Sequence, residues 1–202
     1  KARLADGKKA ASNVWLWGQG RSPTLPSFQK RFGLSGAMIT AVDLLRGLAA
    51  LIGWDRIEVE GATGYLDTNY AGKGQAAVEA LDQYDIVCVH VEATDEASHE
   101  GRVDEKVKAL EAIDKHVVAP VAAKLESLGE HRLVILPDHP TPCSTKKHAH
   151  GMVPLTMCGT GIESSEATSY SETTAATGSL TFPNGWEMMD AFIKGDFAKY
   201  TA

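Results

Sequence analysis

The sequence predicts an α/β fold in which a mainly parallel sheet is flanked by helices. Two observations carry that expectation. Short apolar runs rich in β-branched and aromatic residues recur along the chain, and between them lie segments whose apolar residues are spaced by three or four. Alternation of this kind argues for strand–helix–strand units, whose sites lie at the carboxyl ends of the strands. With 202 residues, 44% of them hydrophobic, the chain can bury a core of ordinary size.

In chain order, strands are expected at 14–17, 37–40, 56–59, 86–90, 132–136 and 153–157, each a short run of apolar residues. Helices are expected at 42–52, where Leu44, Leu45, Leu48 and Leu51 share a face, and then at 72–81 and 103–128. Residues 163–178 are rich in Ser, Thr, Ala and Glu and read as a surface loop that could close over a site. Trp186, Met189, Phe192 and Ile193 stand at helical spacing and predict a docked terminal helix over 185–197.

Composition excludes several classes of function. The net charge is −6, from 26 acidic and 20 basic residues, and no run of Lys or Arg exceeds a pair such as Lys146-Lys147. No nucleic-acid or anionic-membrane partner is therefore expected, and a small substrate fits better. No apolar stretch is long enough to span a bilayer. Cys88, Cys143 and Cys158 form no CxxC pair and leave an odd count, which predicts reduced thiols and a cytoplasmic location. The chain begins Lys1-Ala2-Arg3, without an initiator methionine or a signal peptide, and is expected to be a piece of something longer.

Three clusters of metal-ligand residues accompany the expected strands. Asp95 and His99 follow the strand at 86–90 and would share a face if helical; Asp138 and His139 follow the strand at 132–136; His148 and His150 precede the one at 153–157. Carboxylate oxygen mixed with imidazole nitrogen suits Mn²⁺ or Zn²⁺ better than an all-oxygen set would. Each cluster alone reads as readily as a helical hydrogen-bonded pair or a proline-flanked turn. Their weight lies in three of them falling in loops that a parallel sheet would bring to one edge. His90, at a strand end, reads as a hydrogen-bonding support for the site rather than a ligand. Gly18-Gln19-Gly20-Arg21 is no phosphate-loop fingerprint, and Arg21 is a weak candidate for contact with a substrate phosphate.

The runs Trp15-Leu16-Trp17-Gly18-Gln19-Gly20, Gly61-Ala62-Thr63-Gly64-Tyr65-Leu66-Asp67-Thr68-Asn69-Tyr70, His90-Val91-Glu92-Ala93 with Asp95-Glu96-Ala97 and His99-Glu100-Gly101, and Asp138-His139-Pro140-Thr141-Pro142-Cys143 resemble the cofactor-independent, archaeal-type phosphoglycerate mutases of the alkaline phosphatase superfamily. The resemblance covers residues 13–159. It implies an alkaline-phosphatase-like core lacking its N-terminal part. Residues 1–202 would be the C-terminal part of the metalloenzyme domain, with the inserted substrate domain absent. It further implies two divalent ions, manganese first with zinc or magnesium as alternatives. Asp95, His99 and His148 would hold one, and Asp138 and His139 the other, while His150 would be no ligand. The phosphorylated nucleophile, a Ser or Thr, would lie upstream of Lys1, since Ser98 and Ser144 match no such position. This chain alone would then be inactive, with a sheet edge exposed for self-association.

Two departures touch the site: Ser98 replaces a common glycine, and Ala149-His150-Gly151-Met152 replaces a segment often ending in proline. The activity implied is the interconversion of 3-phosphoglycerate and 2-phosphoglycerate. A two-metal phosphatase or the homoserine kinase proposed for some relatives would use the same site. A metal-free structural α/β domain is the non-enzyme alternative.

Overall fold

The computed structural model describes residues 2–16, 18–21 and 23–201. A short helix α1 (Ala2–Ala5) opens the chain, and α2 (Phe28–Phe32), capped by the Ser27 hydroxyl, leads into strand β1 (Gly36–Ile39). Helix α3 (Asp43–Ile52), strand β2 (Asp55–Arg56), helix α4 (Tyr70–Ala80) and strand β3 (Ile86–Val89) follow. These strands form a parallel sheet in the order β2-β1-β3, with Gly36 opposite Ile86 and Ile39 opposite Val89. The parallel sheet flanked by helices is the fold class expected from the sequence.

One face of the sheet is covered by an aromatic core. Phe28, Ala49 and Trp54 are buried there, with Met38, Ile52, Ile86, Cys88, Met189 and Ile193 packed around them. The Phe28 and Trp54 rings meet edge to face, 4.9 Å between centroids. Each such side chain stabilises the fold by about 1.5–3 kcal/mol of burial. Ala37 and Ile39, fully buried, alternate with Met38 and so project from the other face. On the parallel sheet α4 packs against β1 and β3.

The long helical stretch expected at 103–128 is divided. Helix α6 (Val103–Ile113) passes through a π-helical turn (Asp114–Val118) into α7 (Ala119–Leu128). Pro120 explains part of the break, because it has no N–H to donate to the carbonyl of His116, four residues back. That carbonyl lies against α4 at Gly74, where a Cβ would overlap the oxygen. Only glycine lets the two backbones come so close.

The last two strands, β4 (Arg132–Ile135) and β5 (Thr156–Gly159), form a separate antiparallel pair. Antiparallel pairing puts the end of β4 and the start of β5 at one edge. The intervening segment 136–155, which carries Asp138, His139 and His148, therefore leaves and returns at the same place. Helix α8 (Glu172–Ala175) interrupts the loop at 163–178, and α9 (Gly185–Lys194) is the docked terminal helix.

Three strand expectations need correction. Val14, Trp15 and Leu16 are irregular and 86%, 86% and 88% exposed, while Trp17 lies outside the described residues. An apolar run becomes a strand only with a ladder partner, and none of the described residues pairs with it. The run at 56–59 keeps only Arg56 in β2. The run at 153–157 pairs three residues later than expected, from Thr156, because Pro154 cannot donate to a ladder.

Candidate metal centre

Asp95 and His99 are set side by side by helix α5 (Ala93–Glu100). Spacing of four places both on one face, and Gly101 in the left-handed region, φ 75°, ends the helix. Asp95 Oδ2 lies 3.0 Å from His99 Nε2. The segment between β4 and β5 brings the remaining donors. His148 Nε2 is 3.0 Å from His99 Nε2 and 3.4 Å from Asp95 Oδ1. The His139 ring stacks at 3.9 Å between centroids on that of His148. Ligand atoms of Asp95, His139 and His148 all lie within 4.8 Å of one another. Asp138 is the outermost member, its side chain 76% exposed with Oδ2 3.3 Å from His139 Nε2.

Neighbouring groups hold these donors in place. Thr141, buried, donates to Asp95 Oδ1 at 2.6 Å, and its hydroxyl also lies 3.2 Å from His139 Nδ1. Lys146 has φ 56°, and its carbonyl lies 2.9 Å from His99 Nδ1. A carbonyl only accepts, so His99 Nδ1 carries a proton and a neutral ring turns its Nε2 lone pair to the cluster. The Lys146 carbonyl raises the His99 pKa against the effect of burial, and Asp95 adds to the rise. Burial pushes the Asp95 carboxyl up, but the Thr141 hydrogen bond with His99 and His148 outweighs it, leaving a net lowering.

His90 lies behind the cluster, with Nδ1 3.1 Å from Thr40 Oγ1 and Nε2 3.1 Å from Glu92 Oε2. Burial and then nearby Lys73 lower its pKa. Burial raises that of Glu92, with Asp95 and Asp138 adding to it. Ser98 is fully buried and donates to the Thr94 carbonyl at 2.7 Å. Ser144 and His150 are exposed. Arg21 is exposed and irregular, and no contact among the described residues ties it to the cluster. A cleft of about 250 Å³ at the end of β1 is lined by Thr40, Arg46 and Glu58, but Arg46 is neutralised there by Glu58.

Sequence reasoning missed Thr141, the Lys146 carbonyl and the buried Lys73. Thr141 stood two residues from His139 in a quoted motif, a signal for a supporting hydroxyl. A backbone carbonyl leaves no trace in side-chain patterns.

The donor set is right for a divalent cation. Ligand bonds of about 2.0–2.2 Å place neighbouring donors of a tetrahedral shell roughly 3.3–3.6 Å apart, close to the spacings of 3.0 and 3.4 Å here. An α/β domain with an Asp–His cluster of this spacing at its strand ends has the make-up of a divalent-metal protein. The chain belongs to the metalloenzyme superfamily, whose family model matches residues 4–190.

Relatives narrow the class. The chain is 45% identical over 194 residues to the probable 2,3-bisphosphoglycerate-independent phosphoglycerate mutase of Geobacter sulfurreducens, a match covering 96% of this chain and 49% of that protein. It is 47% identical over 178 residues to 2,3-bisphosphoglycerate-independent phosphoglycerate mutase 2 of Methanothermobacter thermautotrophicus, covering 88% and 44%. Among solved structures, the PH0037 protein from Pyrococcus horikoshii superposes with a TM-score of 0.74 at 29% identity, over 84% of this chain and 51% of that one. The cofactor-independent phosphoglycerate mutase from Thermoplasma acidophilum shares the fold, with a TM-score of 0.65 at 24% identity over 96% and 45%. The chain spans about half the length of the curated relatives it matches. Among the described residues, no helix is long and apolar enough to cross a membrane.

Proposed function

We propose that this chain supplies the metal-binding part of a cofactor-independent phosphoglycerate mutase that interconverts 3-phosphoglycerate and 2-phosphoglycerate in the cytoplasm. The observation that carries the reading is the meeting of Asp95, His99 and His148, from two distant segments, at donor spacings of 3.0 to 3.4 Å, with His139 within 4.8 Å of Asp95 and His148. The relatives' names supply the substrate.

The proposal divides the donors between two ions. Asp95, His99 and His148, which touch one another, would hold one; Asp138 and His139, 3.3 Å apart, would hold the other. Manganese is the ion proposed first, on the mixture of oxygen and nitrogen donors. Bound there, the ions would supply positive charge to phosphoryl oxygens and activate a hydroxyl nucleophile. The chain's own groups orient and hold. Thr141 fixes Asp95, and the Lys146 carbonyl fixes His99. His90 and Glu92 back the helix that carries both, and Arg21 is kept as a contact for the substrate phosphate.

Two hydroxyls at the cluster, those of Ser98 and Thr141, are already engaged by neighbours. Ser98 donates to Thr94 and Thr141 donates to Asp95. The proposal therefore places the nucleophile in the length of the relatives that these 202 residues do not span, so that this chain alone gives no turnover. The test is an assay of the full-length protein with 3-phosphoglycerate, with an aryl phosphate, and with homoserine plus ATP, each with manganese in excess. Conversion of 3-phosphoglycerate to 2-phosphoglycerate without release of phosphate, lost in Asp95→Ala, is expected. Activity only in either other assay would overturn the reading.

A further inference from the structure

Among the described residues, Lys73 is the largest side chain essentially removed from solvent, at 1% exposure. An ammonium in such a place carries a desolvation cost that a leucine or methionine of similar volume would avoid. Its surroundings indicate what it does. From α4, Lys73 Nζ donates to the backbone carbonyl of His90 at 3.1 Å. The amide of the same residue donates to the Ile39 carbonyl at the end of β1, and its ring lies against Thr40 and Glu92. Glu92 is the residue before α5, and its carbonyl accepts the amide of Asp95 at 2.8 Å. A continuous set of polar contacts thus runs from the buried ammonium through His90 and Glu92 to Asp95.

We propose that Lys73 is a positioning residue for the metal centre: by tying α4 to the His90 carbonyl, it sets the turn from which α5 presents Asp95 and His99. The inference rests on the reading of the Asp–His cluster as a metal site. The turn between β3 and α5 is only three residues, 90–92, so a shift at His90 reaches Asp95 almost undiminished. Donors must hold their places to a few tenths of an ångström for tight binding, which is why groups behind the ligands alter metal affinity by about 10–100-fold. Burial lowers the Lys73 pKa while the charge of Glu92 acts in the opposite direction.

The experiment titrates this chain with Mn²⁺ alone by calorimetry and records the visible spectrum of the Co²⁺-loaded form. Four proteins are compared: the unaltered chain, Asp95→Ala, Lys73→Met and Ala77→Gly. The last loosens α4 at a buried position without touching the ammonium. A roughly tenfold weaker Mn²⁺ affinity in folded Lys73→Met with an altered Co²⁺ spectrum is expected, Ala77→Gly staying within about twofold. If Lys73→Met does not fold, Lys73→Gln is read by the same criteria; if neither folds, the residue serves folding and the inference is overturned. Affinity within twofold in the Lys73 variant, or an equal loss in Ala77→Gly, overturns it as well. Failure of the unaltered chain to bind, or full binding by Asp95→Ala, overturns the metal-site reading itself.

Discussion

At the scale of single residues, two histidines separated by one alanine have different fates. His148 meets Asp95 and His99, whereas His150 is exposed. His148→Ala should therefore weaken Mn²⁺ binding by this chain at least tenfold, and His150→Ala should leave it within about twofold, as read by calorimetry. Equal losses would remove the distinction. Lys146 invites a second substitution, because its left-handed backbone, φ 56°, turns the carbonyl onto His99. Glycine adopts that conformation freely and a β-branched residue resists it. Lys146→Gly should match or exceed the original stability in urea unfolding, while Lys146→Val should lose about 1–2 kcal/mol.

At the scale of elements, helix α4 is tied to two neighbours by residues adjacent in sequence: Lys73 reaches His90, and Gly74 accommodates the His116 carbonyl. Helix propensity alone would make Gly74→Ala stabilising by roughly 1 kcal/mol. Overlap with backbone reverses the sign, and a loss of about 1–3 kcal/mol is expected in denaturant unfolding. The loop at 163–178 has its own anchor, since the Tyr170 hydroxyl donates to the Pro154 carbonyl at 3.0 Å. Burial pushes that phenol up to about 12 from an ordinary value of 10.0. A raised folded-state pKa means that the anchor's stabilisation is complete below about pH 10 and is lost as pH rises towards 12. Amide exchange in 163–178 should accelerate across that window, and Tyr170→Phe should show the faster exchange already at neutral pH. Unchanged exchange in the variant would show that the hydroxyl holds nothing.

On the scale of the whole molecule, the cluster is where two separately hydrogen-bonded sheets meet: α5 follows the parallel sheet, and segment 136–155 belongs to the β4–β5 pair. A cation bound by both would join them. Mn²⁺ at about 100 times its dissociation constant should add roughly 2.7 kcal/mol of stability, or about 5–10 °C in midpoint for a chain of this size. Asp95→Ala should abolish the shift. A midpoint indifferent to Mn²⁺ in the unaltered chain would mean that the cluster binds no ion.

Sequence alone determined the alternation of strands and helices and the type of donor at each cluster, because both reside in contiguous residues: the leucines of α3, the Asp95–His99 spacing, the Asp138-His139 pair. It misjudged the run at 14–17, which has apolar character but, among the described residues, no pairing partner. Ladders, breaks and meetings were decided by the tertiary structure. Thr141 reaches Asp95 across 46 positions and His148 reaches His99 across 49. The π-turn sets its His116 carbonyl against a glycine in another helix, and Lys73 gains its meaning only from the carbonyl it meets. Side-chain periodicity encodes which face of an element is apolar. It carries no record of the backbone groups and distant partners that a folded chain brings against that face, and these orient the donors.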